Sequence, residues 1–253
     1  MSASDLAGEA EELRRSDAVK TTLLRAVSHD FRSPLTAIVT AAGALAHSGL
    51  VLDETDRQEL AETILEETLR LDRLVGDLLD LSRLEAGAVT SSDALWAIED
   101  VVLQAVDSVS EAGCRLELAL DESATVQGDP HQLERVLVNL IENALRYSSG
   151  SVSVHTRRMG GEVLVRVVDN GPGIDADELE RIFEPFRRGA RAGERRGSGL
   201  GLAIARGFAE ANGGRVWAES FPGQGAAFVV AVPLAVDRSS SEPASTKRLS
   251  RER

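Results

Sequence analysis

The sequence predicts a multi-domain chain: an all-α helical hairpin that pairs into a dimeric four-helix bundle, followed by an α+β sandwich. Three observations predict it. Apolar residues recur at steps of three, four and seven over two long stretches near the N-terminus. A small, polar run, "AGAVTSSDALW", closes that region. Beyond it, alternating strands and amphipathic helices mix without strict order, which is the pattern of an α+β domain.

Residues 1–16 are polar and read as a flexible N-terminal segment. From about Asp17 the positions Leu24, Val27, Phe31, Pro34, Ile38, Ala41 and Leu45 form a seam of nearly heptad period. "HSGLVLDET" breaks it at Gly49, and Asp53 can cap the next helix. Leu60, Ile64, Leu71, Leu74, Leu78 and Leu81 carry a second seam from about Glu54 to Glu85. The hairpin domain spans 17–87. Alone it would expose much of its seam, and pairing across a two-fold axis buries it. The alternative is packing on the remainder of the same chain.

A linker lies near residues 86–93, and the second domain spans 88–236. "CRLELAL" alternates as a strand, and "HQLERVLVNLIENALRYS" is an amphipathic helix. "SVSVHTRR" and "EVLVRVVD" are strands around the turn at Gly160-Gly161. "GLAIARGFAEAN" is a helix closed by Gly213-Gly214. "GRVWAES" and "AAFVVAVPL" form a last hairpin. The Ser-rich, charged tail 237–253 reads as disordered.

Composition narrows the function. The 253 residues are 43% hydrophobic with a net charge of −13, so no basic face for nucleic acid is expected. An anionic ligand must be held by local geometry. The single cysteine, Cys114, rules out a disulfide within the chain, and the four histidines are scattered outside metal-ligand spacing. No apolar run reaches the length of a membrane span, and the acidic N-terminus is unlike a signal peptide. The expected location is cytoplasmic, either as a soluble chain or as the cytoplasmic part of a membrane-bound sensor.

Two glycine clusters suggest a phosphate site. "DNGPGI", Asp169 to Ile174, follows a strand, and "GSGLGLAI", Gly197 to Ile204, opens a helix. Glycines at a helix start let free N–H groups approach an anion. Neither cluster is a P-loop or a Rossmann fingerprint, and either could be a plain turn. Asn139 and Asn143 lie four apart on one helix face, beside the apolar Leu137, Leu140, Ile141 and Leu145. An asparagine carbonyl there can ligate Mg²⁺, or the amides can simply sit on the helix surface.

The constellation resembles the two-component sensor histidine kinases. It comprises a histidine box "SHDFRSP", an asparagine box "NLIENALRYS", "DNGPG", a phenylalanine box "FEPF" and "GSGLGL", in family order over roughly residues 17–235. The wording "KTTLLRAVSHDFRSPL" and "LERVLVNLIENAL" is most similar to the potassium-sensing branch. The resemblance implies a Bergerat-type ATP-binding fold, with ATP and Mg²⁺ as cofactors. Asn143 would ligate the metal, with Asn139 and Arg146 toward phosphate and Tyr147 near the nucleotide. Asp169 would accept from the adenine amino group, beside Gly171 and Gly173. Residues of about 175–198 would form a lid anchored by Phe183 and Phe186, though ordinary core packing is the plain reading of both. Arg188 would stand near phosphate, and Gly197, Gly199, Leu200 and Gly201 would line the triphosphate.

His29 is two positions from Val27 and from Phe31, hence about 200° from the seam and facing solvent. A solvated surface histidine is the plain reading. The resemblance implies instead a nucleophile that takes the γ-phosphoryl group and passes it to an aspartate on a response-regulator receiver domain. Asp30 would orient its ring, and Pro34 would bend the helix one turn on. Family members usually carry Leu at position 31 and Glu at position 30. Ser33 stands where Thr or Asn orients a water for phosphatase work, which leaves that activity open. Competing classes are a scaffold without kinase activity, a gyrase- or MutL-like ATPase, and a serine kinase of an anti-sigma partner. The last two lack the histidine hairpin.

Overall fold

The computed structural model describes residues 30–47, 51–109, 115–120, 123–148, 150–187 and 197–235. His29, Leu24, Val27, Arg188 and both terminal segments therefore lie outside the described residues.

Helix α1 covers 30–46 and continues through Pro34. Its seam is real: Pro34 and Ala41 are buried and Phe31, Ile38 and Leu45 half-buried, whereas Leu35 and Val39 face outward. Helix α2, Glu54–Glu85, starts at the expected cap. Asp56 N donates to Asp53 Oδ1 at 2.8 Å and Asp53 N to Asp56 Oδ2 at 3.2 Å, a reciprocal capping box. Leu74 and Leu81 are buried as the seam requires. Leu78 is not: it is 39% exposed. Toward its end α2 turns Asp77, Leu81 and Leu84 to the second domain, and this rotates the buried stripe off Leu78.

The second domain opens with two elements absent from the periodicity reading. Strand β1, Leu95–Ala97, leads into helix α3, Ile98–Ser108. Ile98, Val101, Val102 and Ala105 bury its apolar face. Strand β2 is Leu116–Leu120, and β3, Thr125–Gln127, pairs antiparallel with β1. Helix α4, Pro130–Tyr147, begins with Pro at its first turn, and Asp129 accepts from His131 N at 2.9 Å and Gln132 N at 3.2 Å. Strands β4, Val152–Met159, and β5, Glu162–Asp169, form the expected hairpin. A 3₁₀ turn, Arg181–Phe183, precedes helix α5, Gly201–Ala211. Strands β6, Arg215–Ser220, and β7, Ala226–Pro233, complete the chain's described structure.

The main sheet has the order β2-β4-β5-β7-β6. Only β2 against β4 is parallel; the other pairs are antiparallel. Inward-facing Val154, Val163, Val165, Val167 and Phe228 meet Val136, Leu140 and Ile141 of α4 and Ile204 of α5 in one core. Leu81 of the hairpin belongs to the same cluster. Among the described residues no helix is long and apolar enough to cross a membrane.

The linker is tied down. Gln132 Nε2 donates to Thr90 O at 3.0 Å, and Ser91 Oγ to Asn212 Oδ1 at 3.2 Å. Asn212, buried at the end of α5, also receives Asp129 N at 2.9 Å and donates to Phe208 O and Gln132 Oε1. It thereby fixes the cap of α4. Asn212→Ala strands these partners in a buried place and is expected to cost about 2 kcal/mol in a urea-unfolding series.

Candidate functional site

A cleft opens between α4, the end of β5, the segment 172–187 and the start of α5. Its floor is set by the split character of α4. Val136, Leu137, Leu140, Ile141 and Leu145 enter the core, so Asn139, Asn143, Arg146 and Tyr147 turn to the cleft. Asn139 is buried, and its Nδ2 has no partner among the described residues. An orphaned buried donor aimed at a cleft calls for an acceptor from a ligand.

Asp169 closes β5 at one end of the cleft and is 3% exposed. Its Oδ1 accepts from Gly171 N at 2.7 Å and from Ala226 N at 3.2 Å. Burial pushes this carboxyl above its ordinary value, and the two N–H bonds only partly oppose that. Glycines let the surrounding backbone close in. At Gly225, with φ +79°, a Cβ would lie 2.0 Å from Asp169 O. At Gly173, with φ +74°, it would lie 2.2 Å from Phe221 O. Both positions need glycine for conformation and for space.

The other end of the cleft is rich in donors. No described side chain caps the start of α5. Gly201 stands against Asn139, and Arg146 abuts Gly197, where a Cβ would meet its Nη1 at 2.6 Å. Arg187 also lines the cleft; its Nε is buried without a partner among the described residues, and its Nη2 is 3.9 Å from Glu178. Uncapped amides beside two guanidiniums make an anion site.

The structure sorts the sequence-predicted residues. Asn139, Asn143, Arg146, Tyr147, Asp169, Gly173, Gly197, Gly199 and Gly201 line the cleft together. Gly171, Phe183, Phe186 and Leu200 stand behind it instead. Gly171 serves Asp169 through its N–H. Phe183 is buried with the Arg206 guanidinium 4.5 Å above its ring. Phe186, at φ +61°, donates its N–H to Gly199 O at 2.8 Å, joining the phenylalanine box to the second glycine box. Leu200 is buried as the N-cap of α5. Arg188 and His29 fall outside the described residues, and Asp30 and Ser33 lie on α1, away from the cleft.

Sequence reasoning missed Arg187, Ser198, Glu142 and, from the hairpin, Asp77. Ser198 was within the quoted glycine box and Arg187 adjoined a named position. Asp77 carries no local signal. Its Oδ1 accepts from Arg135 Nη2 at 2.7 Å and its Oδ2 from Ser198 Oγ at 3.1 Å. Burial raises its carboxyl against the pull of that arginine.

A layered α/β domain with this cleft defines an ATPase-type nucleotide fold, and the comparisons agree. Residues 128–236 match the family described as histidine kinase-, DNA gyrase B- and HSP90-like ATPase, and residues 19–87 match the His kinase A (phospho-acceptor) domain. The chain is 37% identical over 241 residues to sensor protein KdpD of Mycobacterium tuberculosis, covering 92% of this chain and 28% of that protein. A structure of full-length ShkA in complex with AMPPNP aligns with a TM-score of 0.61 at 30% identity, over 85% of this chain and 46% of that one. The Acinetobacter baumannii histidine kinase AdeS aligns at 0.63 and 26%, over 81% and 98%. The chain belongs to the two-component sensor histidine kinases and carries their transmitter region. It spans just over a quarter, 28%, of the length of the first KdpD relative.

The raised Asp169 carboxyl has a signed consequence. The folded chain holds this proton to higher pH than the unfolded chain does. The group's contribution to stability is therefore greatest below the ordinary carboxylate range and is lost as pH rises through the folded value. Asp169→Asn keeps an acceptor for Gly171 N and Ala226 N without the charge. Its unfolding midpoint relative to the native sequence is expected to rise between about pH 4 and pH 7, read from urea series at both ends.

Proposed function

We propose that the chain is the catalytic transmitter of a sensor histidine kinase: it phosphorylates His29 with ATP and hands the phosphoryl group to an aspartate of a response-regulator receiver domain. The observation that carries this reading is the two-ended cleft. A buried carboxylate, Asp169, faces an uncapped helix start with Arg146 and Arg187, on a chain whose phospho-acceptor match contains His29. The domain boundaries that go with it are 17–87 for the hairpin and 88–236 for the ATP-binding part.

Asp169 accepts a hydrogen bond from the adenine amino group, where guanine would present an acceptor. Gly173 leaves room for the ring beside it. Asn139 Nδ2, Arg146, Arg187 and the first amides of α5 hold the phosphates, with Arg188 as a further cation. Asn143 supplies a carbonyl oxygen for Mg²⁺, which when bound neutralises phosphate charge. The fit rests on a hard-oxygen donor beside an orphaned amide. His29 attacks the γ-phosphorus with one ring nitrogen; the N–P bond forms as the bond to the β-phosphate oxygen breaks, and ADP leaves. Asp30 holds the other ring N–H and stabilises the charge that develops on the imidazole.

Leu35, Val39, Leu65, Leu69 and Leu79 remain exposed on the hairpin. A second copy packed as a four-helix bundle covers such a surface, which supports a homodimer. The receiver domain docks near His29 on the first helix. The similarity to proteins named KdpD supports the potassium-sensing branch, and the chain acts on the cytoplasmic side, where ATP is available.

Labelled ATP tests the reading. The chain should acquire an acid-labile, base-stable label that is lost in His29→Gln; a label that survives this change places the acceptor elsewhere. Asn143→Ala should lower labelling by about 10- to 100-fold, with the loss read from initial rates. Unchanged rates would remove Asn143 from the metal site.

A further inference from the structure

One acid in the nucleotide cleft does not belong to the nucleotide-binding domain. Asp77 projects from α2 of the hairpin into the cleft that Asn139, Asn143 and Arg146 line. Its two oxygens are engaged by Arg135 at 2.7 Å and by Ser198, two residues before the N-cap of α5, at 3.1 Å. The same arginine turns its Nε to Asp80 Oδ2 at 3.2 Å. A single guanidinium of α4 thus clamps two carboxylates one turn apart on α2. Below the clamp, Leu84 packs where a Cβ on Gly207 would come within 2.7 Å of it.

The position along the cleft matters. Asp169 marks one end, and Arg146, Arg187 and the open start of α5 mark the other. Asp77 occupies the second end, among donors suited to an anion. A carboxylate and a polyphosphate cannot share those donors without like-charge cost, and burial sharpens that cost.

We propose that Asp77 gates the cleft by phosphate number: its carboxylate holds Ser198 and Arg135 until a nucleoside triphosphate displaces it, and that displacement frees α2 from α4 and α5. The inference rests on the adenine-nucleotide reading above. A nucleoside without phosphates enters with the contact closed. ATP enters only by opening it, and the domain that carries ATP is then released from the hairpin contact and able to reach His29.

Asp77→Asn is the direct test, since an amide oxygen still accepts from Ser198 and Arg135 while the charge is gone. Calorimetric titration of the full chain with ATP at low salt should show affinity raised by about tenfold, while adenosine changes less than about twofold. An unchanged or lowered ATP affinity, or equal shifts for both ligands, overturns the gate. A second measurement avoids dependence on that variant. In a Cys114→Ser background, Leu84→Cys with Gly207→Cys should cross-link under mild oxidant, and ATP should slow the reaction several-fold where adenosine does not. Equal rates with the two ligands overturn the release step. If neither ligand binds the native chain, the nucleotide reading falls and the gate with it; adenosine binding with ATP-indifferent cross-linking sinks the gate alone.

Discussion

The packing of α4 on the sheet is the constraint on which the rest depends. One stripe of the helix, through Val136, Leu140 and Ile141, is sealed against β4 and β5. The period of 3.6 then leaves a second stripe, Asn139, Asn143 and Arg146, no choice but to face the opening. Burial of the first stripe is worth roughly 2 kcal/mol or more per large side chain, far more than any one polar contact in the cleft. The polar stripe is thus oriented by hydrophobic packing, and its own hydrogen-bonding capacity stays available. The amide of Asn139, without a partner among the described residues, is the visible sign of that division.

Electrostatics in this chain is local. A net charge of −13 should repel an anion, yet the cleft gathers Arg146 and Arg187 and the start of α5 within one wall. Helix-end dipoles and guanidiniums act over a few ångströms, well inside the screening length of about 8 Å at physiological salt. Distant surface carboxylates are screened out, whereas Asp77, held at the wall itself, is not.

Much of the fold was legible because it follows from period and caps. The heptad steps identified both hairpin helices, and Asp53 sat three residues before Asp56 as a capping box needs. The glycine boxes were legible for a related reason: φ above zero and backbone contacts under 3 Å at Gly173 and Gly199 admit little else. What the sequence hid is what tertiary contact decides. The apolar positions of α3 follow helical spacing, but over only 11 residues and directly after β1, so period alone did not separate it from loop. Leu78 fits the seam on paper, and the turn of α2 toward the second domain overrides it. Asp77 enters the cleft from 121 positions away from Ser198, a pairing no local pattern encodes. Phe183 and Phe186 do not line the cleft: Phe183 packs in the core, the plain reading the sequence also allowed, and Phe186 holds Gly199 through its backbone.

The bond from Phe186 N–H to Gly199 O, 2.8 Å long, brings the two ends of residues 187–198 to a fixed base. The entropy of joining two such fixed points by a chain segment changes only with the logarithm of the segment's length, about 0.6 kcal/mol per doubling. Closure entropy therefore sets little limit on the length of chain between Arg187 and Gly197, while Arg187, Gly197 and Ser198 are fixed by their places in the cleft wall.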